Sequence, residues 1–185
     1  MPQAAVKIAT YEDLFTIPEH HVGEIINGAL HSHPRPAPKH ALAFSSLGDE
    51  LVSPYQKGKG GPGGWWILDE PECHIASHVL VPDLAGWRKE SMPSLPETAW
   101  FEIVPNWVCE ILSPSTARLD RAEKMPIYAQ AGVKHLWLID PELQLLECYE
   151  RQENNWLLLQ TYEKDQLVCA LPFEKHEFNL DVLWE

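Results

Sequence analysis

No apolar run in this chain approaches the roughly 20 residues that a helix needs to cross a bilayer, so no membrane association is expected. Met1 to Thr10 lacks the charged start and apolar stretch of a secretory leader. There is no Cys-x-x-Cys pair. Cys73, Cys109, Cys148 and Cys169 stand far apart, which argues against a zinc knuckle. Cys109 and Cys148 lie in apolar runs and read as buried, reduced thiols of a cytoplasmic protein. No internal repeat is present. Basic residues are scarce: 14 Lys and Arg against 27 Asp and Glu give a formal net charge of −13. A protein that grips nucleic acid unaided carries a basic face, so tight nonspecific DNA binding is disfavoured. Weak or assisted engagement is not, because a bound cation offsets local carboxylates.

What is there suits a globular protein. The 185 residues match one compact domain, residues 1–185, and 45% of them are hydrophobic. Thr10 to Pro18 predicts a short helix with Thr10 at its cap. GEIINGALH, from Gly23 to His31, predicts a hairpin turning at Asn27-Gly28. The proline-rich stretch from His33 to Pro38 predicts a loop, and Lys39 to Tyr55 a helix with Phe44, Leu47 and Leu51 on one face. KGKGGPGG, from Lys57 to Gly64, has no phosphate-loop spacing and predicts a mobile surface loop near substrate. Two strands are expected at Trp65 to Ala76 and His78 to Trp87, then a loop from Ser91 to Trp100. Trp107 to Leu112 and Lys134 to Ile139 predict buried parallel strands joined by a helix from Thr116 to Ala131, which Pro126 kinks or shortens and Gly132 ends. A hairpin of Leu143 to Tyr149 with Trp156 to Tyr162 follows. A short strand at Leu167 to Ala170 comes next, and Phe178 to Trp184 docks on the core.

Two of these strands carry a carboxylate within an apolar run: Asp83 in HVLVPDLAGW and Glu110 in NWVCEIL. Burying such a group is costly unless it is paired or holds a metal. Carboxylates on neighbouring strands can bind Mg²⁺ or Mn²⁺, which prefer oxygen donors, and the Ile111 carbonyl is a further candidate ligand. Asp120, Lys124 and Tyr128 recur at i, i+4, i+8 and share a helix face. Lys124 would then supply the cation that phosphodiester hydrolysis needs beside its developing negative charge.

The stretches VPDLAGWR and VCEILSPSTARLDRAEKMPIYAQAGVKHLWLIDPE resemble the Uma-type family of restriction-endonuclease-like proteins, within the PD-(D/E)xK superfamily. The resemblance covers nearly the whole chain and is most specific from Pro82 to Glu142. It implies an α/β (α+β) restriction-endonuclease-like fold with a mixed central β-sheet flanked by helices. By residue, it implies a metal site of Asp83 and Glu110. The superfamily lysine two residues after the Glu is here Leu112, and the family pattern moves it to Lys124. The resemblance adds Glu24, in VGEIINGAL, as a further acidic catalytic-site residue, and His40 as a family position.

The leading expectation is a Mg²⁺- or Mn²⁺-dependent endonuclease acting on DNA. One competitor is a non-catalytic protein-interaction module with a relic site, and another is a hydrolase of a small phosphorylated molecule. A homo-oligomer, most simply a dimer, is expected. Tyr128, Trp65, Trp66, Trp107 and Trp137 read as core. His20, His21, His31 and His33 read as loop residues, and Glu72 as an outer partner of the site.

Overall fold

The computed structural model describes residues 8–34 and 37–185. Arg35 and Pro36, within the expected proline loop, and residues 1–7 lie outside them. The chain starts with α1 (Tyr11–Leu14), where the Asp13 carboxylate accepts the Thr10 N–H at 2.8 Å. Strands β1 (His21–Ile26) and β2 (Ala29–Pro34) form the expected hairpin. Its turn places Asn27 at φ 51° and Gly28 at φ 76°, the left-handed geometry that an Asn-Gly pair tolerates. Helix α2 (Pro38–Leu51) runs into a wider π-helical turn, Val52–Gln56.

The two strands expected between Trp65 and Trp87 are four. They are β3 (Trp65–Asp69), β4 (Cys73–Ile75), β5 (His78–Leu80) and β6 (Leu84–Arg88). Pro71 and Pro82 sit at the two breaks, where a residue without an N–H cannot continue a ladder. The chain thus leaves one sheet after β3, makes a β4–β5 hairpin in another, and returns at β6. Strands β7 (Trp107–Ile111) and β8 (His135–Asp140) are parallel, as expected. Between them residues 117–131 are helical throughout: α3 (Ala117–Leu119), a π-helical turn (Asp120–Lys124) and α4 (Met125–Ala131). The wide turn lets Pro126 fall in the first turn of α4, where no N–H is needed. Gly132, at φ 98°, ends the helix.

Strands β9 (Leu145–Gln152) and β10 (Asn155–Glu163) make a hairpin longer than expected, and β11 (Leu167–Val168) pairs with β12 (Phe178–Asn179). A six-stranded sheet runs β10-β9-β8-β7-β6-β3, and a four-stranded one β2-β1-β5-β4.

The large sheet separates two cores. Trp107, Cys109 and Ile111 of β7 point to one, with Leu47 and Leu51 of α2, Trp65, Trp137 and Phe173. Leu180 and Leu183 bring the C-terminal segment onto this core, as expected. Val108 points to the other core, with Ala85, Trp87, Leu136 and Tyr128. Trp66 is half-buried and donates its indole N–H to the Met92 carbonyl. Cys73, Cys109 and Cys148 are buried and Cys169 is exposed; all four are free thiols. No described helix is long and apolar enough to cross a membrane.

Candidate active site

A pocket of about 360 Å³ opens where β6 begins and β7 ends. Its walls include Asp83, Glu110, Ile111, Asp120, Lys124, His33, His40 and Glu70. Asp83 lies in the link between β5 and β6, placed by the Pro82 break. Leu84 pairs with Cys109, so alternation along the antiparallel pair turns Asp83 and Glu110 to the same side of the sheet. Asp83 is fixed from two directions. Its Oδ2 accepts the Ile111 N–H at 2.7 Å, and its Oδ1 lies 3.1 Å from His40 Nε2 in the first turn of α2. The other ring nitrogen of that histidine, Nδ1, is buried without a partner among the described residues.

Lys124 is the hub. It is 2% exposed, and its Nζ lies 2.8 Å from Glu110 Oε1, 2.9 Å from Glu24 Oε1 and 3.7 Å from Asp120 Oδ1. The Tyr128 hydroxyl donates to the same Glu110 oxygen at 2.6 Å. The helix face predicted from i, i+4, i+8 spacing is therefore real, and Tyr128 is both core and a partner of Glu110. Glu24 comes from β1 of the small sheet, accepts the Val81 N–H at 2.8 Å, and has His33 Nε2 3.6 Å away.

The electrostatics follow from burial against pairing. Burial alone would raise the Glu24 carboxyl, but Lys124, His33 and the Val81 N–H outweigh it and hold it at about 2. For Glu110 burial wins: its carboxyl sits well above the usual range, opposed by Lys124 and reinforced by Asp120, Asp83 and Glu24. Burial disfavours the Lys124 ammonium, yet Glu110, Glu24 and Asp120 more than compensate and keep it charged.

Among the described residues no group of three or more His, Cys, Asp or Glu side chains forms a ready-made metal cluster. The side-chain oxygen donors aimed at the pocket are few, and this suits Mg²⁺ or Mn²⁺, which bind through one or two carboxylates and keep several waters. Both short contacts of Glu110 fall on Oε1. Glu70, Asp83, Glu110 and Asp120 line a pocket that holds one lysine, a carboxylate excess that a divalent cation would offset.

Sequence reasoning missed Glu70. It follows β3 at φ 42°, a left-handed conformation rare for glutamate, and its N–H is held by the Asp83 carbonyl at 2.8 Å. Glu72, expected beside the site, instead takes the Tyr11 hydroxyl and His74 Nε2, each at 2.8 Å, and does not line the pocket. His21, His31 and His33 are strand residues, correcting their reading as loop, because the hairpin runs on past the motif that announced it. The glycine-rich loop is tied down by the Lys59 N–H to the Ser53 carbonyl and the Gly63 N–H to the Pro54 carbonyl. It adjoins Lys89, at the end of β6 away from Asp83.

The profile of the Uma2 family, described as "Putative restriction endonuclease", matches residues 9–182. Among solved structures, a protein from Anabaena variabilis described as a "putative nuclease belonging to DUF820" is similar, with a TM-score of 0.74 and 24% sequence identity. The match covers 95% of this chain and 97% of the other. At that identity the likeness carries the fold, which is restriction-endonuclease-like, as the sequence implied. No curated protein matches the chain.

Proposed function

Because the chain belongs to the Uma2 family, we propose that it is a divalent-metal-dependent endonuclease hydrolysing DNA phosphodiester bonds in the cytoplasm. The observation that carries this reading is the convergence of Asp83 and Glu110 on one pocket, with Lys124 seated on Glu110. Asp83, Glu110 and the Ile111 carbonyl would be the oxygen donors for Mg²⁺ or Mn²⁺. When bound, such an ion polarises the phosphate and acidifies an attacking water.

The chain's own residues do the rest. Lys124 presents a fixed positive charge to the pocket, placed to stabilise charge developing on phosphate oxygens. Its position costs no reorganisation, because Glu24 and Asp120 already hold it. Glu24 is thus a positioning residue that acts through Lys124. The Ile111 N–H and His40 keep the Asp83 carboxylate turned toward the pocket, as outer partners do for metal-binding groups.

One observation favours a different substrate. A pocket of about 360 Å³ lies at the small end of the range that takes small molecules. The test separates the readings. Supercoiled plasmid, single-stranded DNA and bis(p-nitrophenyl) phosphate are each incubated with Mg²⁺ or Mn²⁺, using the native protein and Asp83→Ala. Metal-dependent cutting of DNA that the variant loses supports the endonuclease. Turnover of the small diester alone replaces DNA with a small phosphorylated substrate. No turnover, or equal turnover by the variant, leaves a non-catalytic interaction module with a relic site.

A further inference from the structure

The six-stranded sheet has two edges, and they are treated differently. On β3, the Ile67 N–H is taken by Gln56 Oε1 at 2.8 Å, so the turn after α2 plugs that edge. On β10, among the described residues, the one backbone–backbone bond made beyond β9 is at its last residue, whose carbonyl accepts the Gln166 N–H at 3.1 Å. Only at its last residue is an N–H occupied otherwise, that of Glu163 by Gln166 Oε1 at 3.0 Å. An open, apolar edge strand is a template for another strand. Leu157, Leu158 and Leu159 are 42%, 46% and 40% exposed, the one run of consecutive exposed large hydrophobics among the described residues.

Charge selects the occupant. The chain carries −13, so two copies repel unless they meet where neither bears charge, and Asn155 to Tyr162 bears none. Of the nine residues of β10 only the last, Glu163, is charged. We propose that β10 pairs antiparallel with β10 of a second copy, joining two six-stranded sheets into one. Antiparallel pairing sets the charged end of each strand beside the uncharged start of the other, so no like charges oppose one another. Trp156 turns to one core and Tyr162 to the other, which leaves the backbone edge and Leu157 to Leu159 to make the contact.

The contact spans about 30 Å of strand, near the lower end of specific interfaces, so the dimer dissociates on dilution. This inference does not depend on whether the pocket is catalytic.

Light scattering across a wide dilution series tests it. The native chain is expected to move from twice its 21.1 kDa mass to a single mass as it is diluted. Leu158→Lys and Leu159→Lys should stay at the single mass with native circular dichroism. Leu143→Lys, at a position 65% exposed outside β10, should dimerise normally. Hydrogen exchange on the unmutated chain guards against misfolding of the variants: concentrating the protein should slow β10 amides selectively. A native monomer at every concentration overturns the proposal. So do a dimer undiminished in folded Leu159→Lys and concentration-dependent protection confined to other strands.

Discussion

Lys124 is surrounded by Glu24, Glu110 and Asp120 at 2.9, 2.8 and 3.7 Å, all four groups buried. A lone lysine holding three carboxylates cannot be removed quietly. Lys124→Ala leaves buried charge uncompensated, and a loss of about 3–5 kcal/mol is expected from urea denaturation at neutral pH. A loss within experimental error would mean that water reaches the carboxylates, and that the cluster is not part of the core. His135 poses a simpler case. It opens β8 with Nδ1 buried and without a partner among the described residues, and burial holds its imidazole below the ordinary value, against the opposing pull of Glu150. The unfolded imidazole titrates near about 6.5. A depressed folded value means that the unfolded chain binds the proton first as pH falls. The stability tied to His135 is therefore complete above about 6.5 and is lost as pH falls toward the lower folded value. His135→Asn should flatten the stability profile over that window, measured as the difference from the native chain in buffered melts. An unchanged slope refutes it.

At the scale of elements, the legible parts were those with local chemistry. Asn27-Gly28 announced its turn, Gly132 its helix end, and the apolar runs of β7 and β8 a parallel pair. Asp83, Glu110 and Lys124 were legible because a charge inside an apolar run, or on a fixed helix face, demands a partner. The single strand expected across His78 to Trp87 failed because its apolar content continues through Pro82, where the backbone stops. The one expected across Trp65 to Ala76 was drawn through Asp69-Glu70-Pro71-Glu72, a charged break in the apolar pattern. Glu70 was illegible because its place in the pocket comes from the left-handed turn that this break produces. Where Glu72 and Glu70 differ is in backbone direction, which composition does not encode. Two glycines test how backbone and space contribute. A Cβ on Gly132 meets nothing within 4 Å, so Gly132→Ala should cost about 1 kcal/mol from its φ of 98° alone. Gly86 in β6 has an ordinary φ but sits 3.1 to 3.3 Å from where a Cβ would meet Trp107, Ile67 and Trp65. Gly86→Ala should cost about 1–3 kcal/mol by overpacking. Equal midpoints for the two variants in thermal melts would contradict this separation.

For the whole molecule, charge sets how a polyanion is met. With 14 Lys and Arg against 27 Asp and Glu, the chain has little net positive charge to displace counterions from DNA. Binding of duplex DNA by fluorescence anisotropy should vary little with salt, with a log–log slope shallower than about −2. A steep negative slope would reveal a basic contact surface that the composition hides. At this scale too the fold and the site are one object. Glu24 belongs to the small sheet, Glu110 to the large one, and Asp83 to the strip of chain that passes between them; Lys124 fastens the first two. The pocket is therefore a joint as much as a cavity, and whatever settles in it acts as a rivet through two plates. A resident that prefers the assembled joint must raise the melting temperature of the entire chain, by linkage worth about 2.7 kcal/mol at a hundredfold excess over its dissociation constant. The protein thus reports its own ligands through heat, whether or not it turns any of them over.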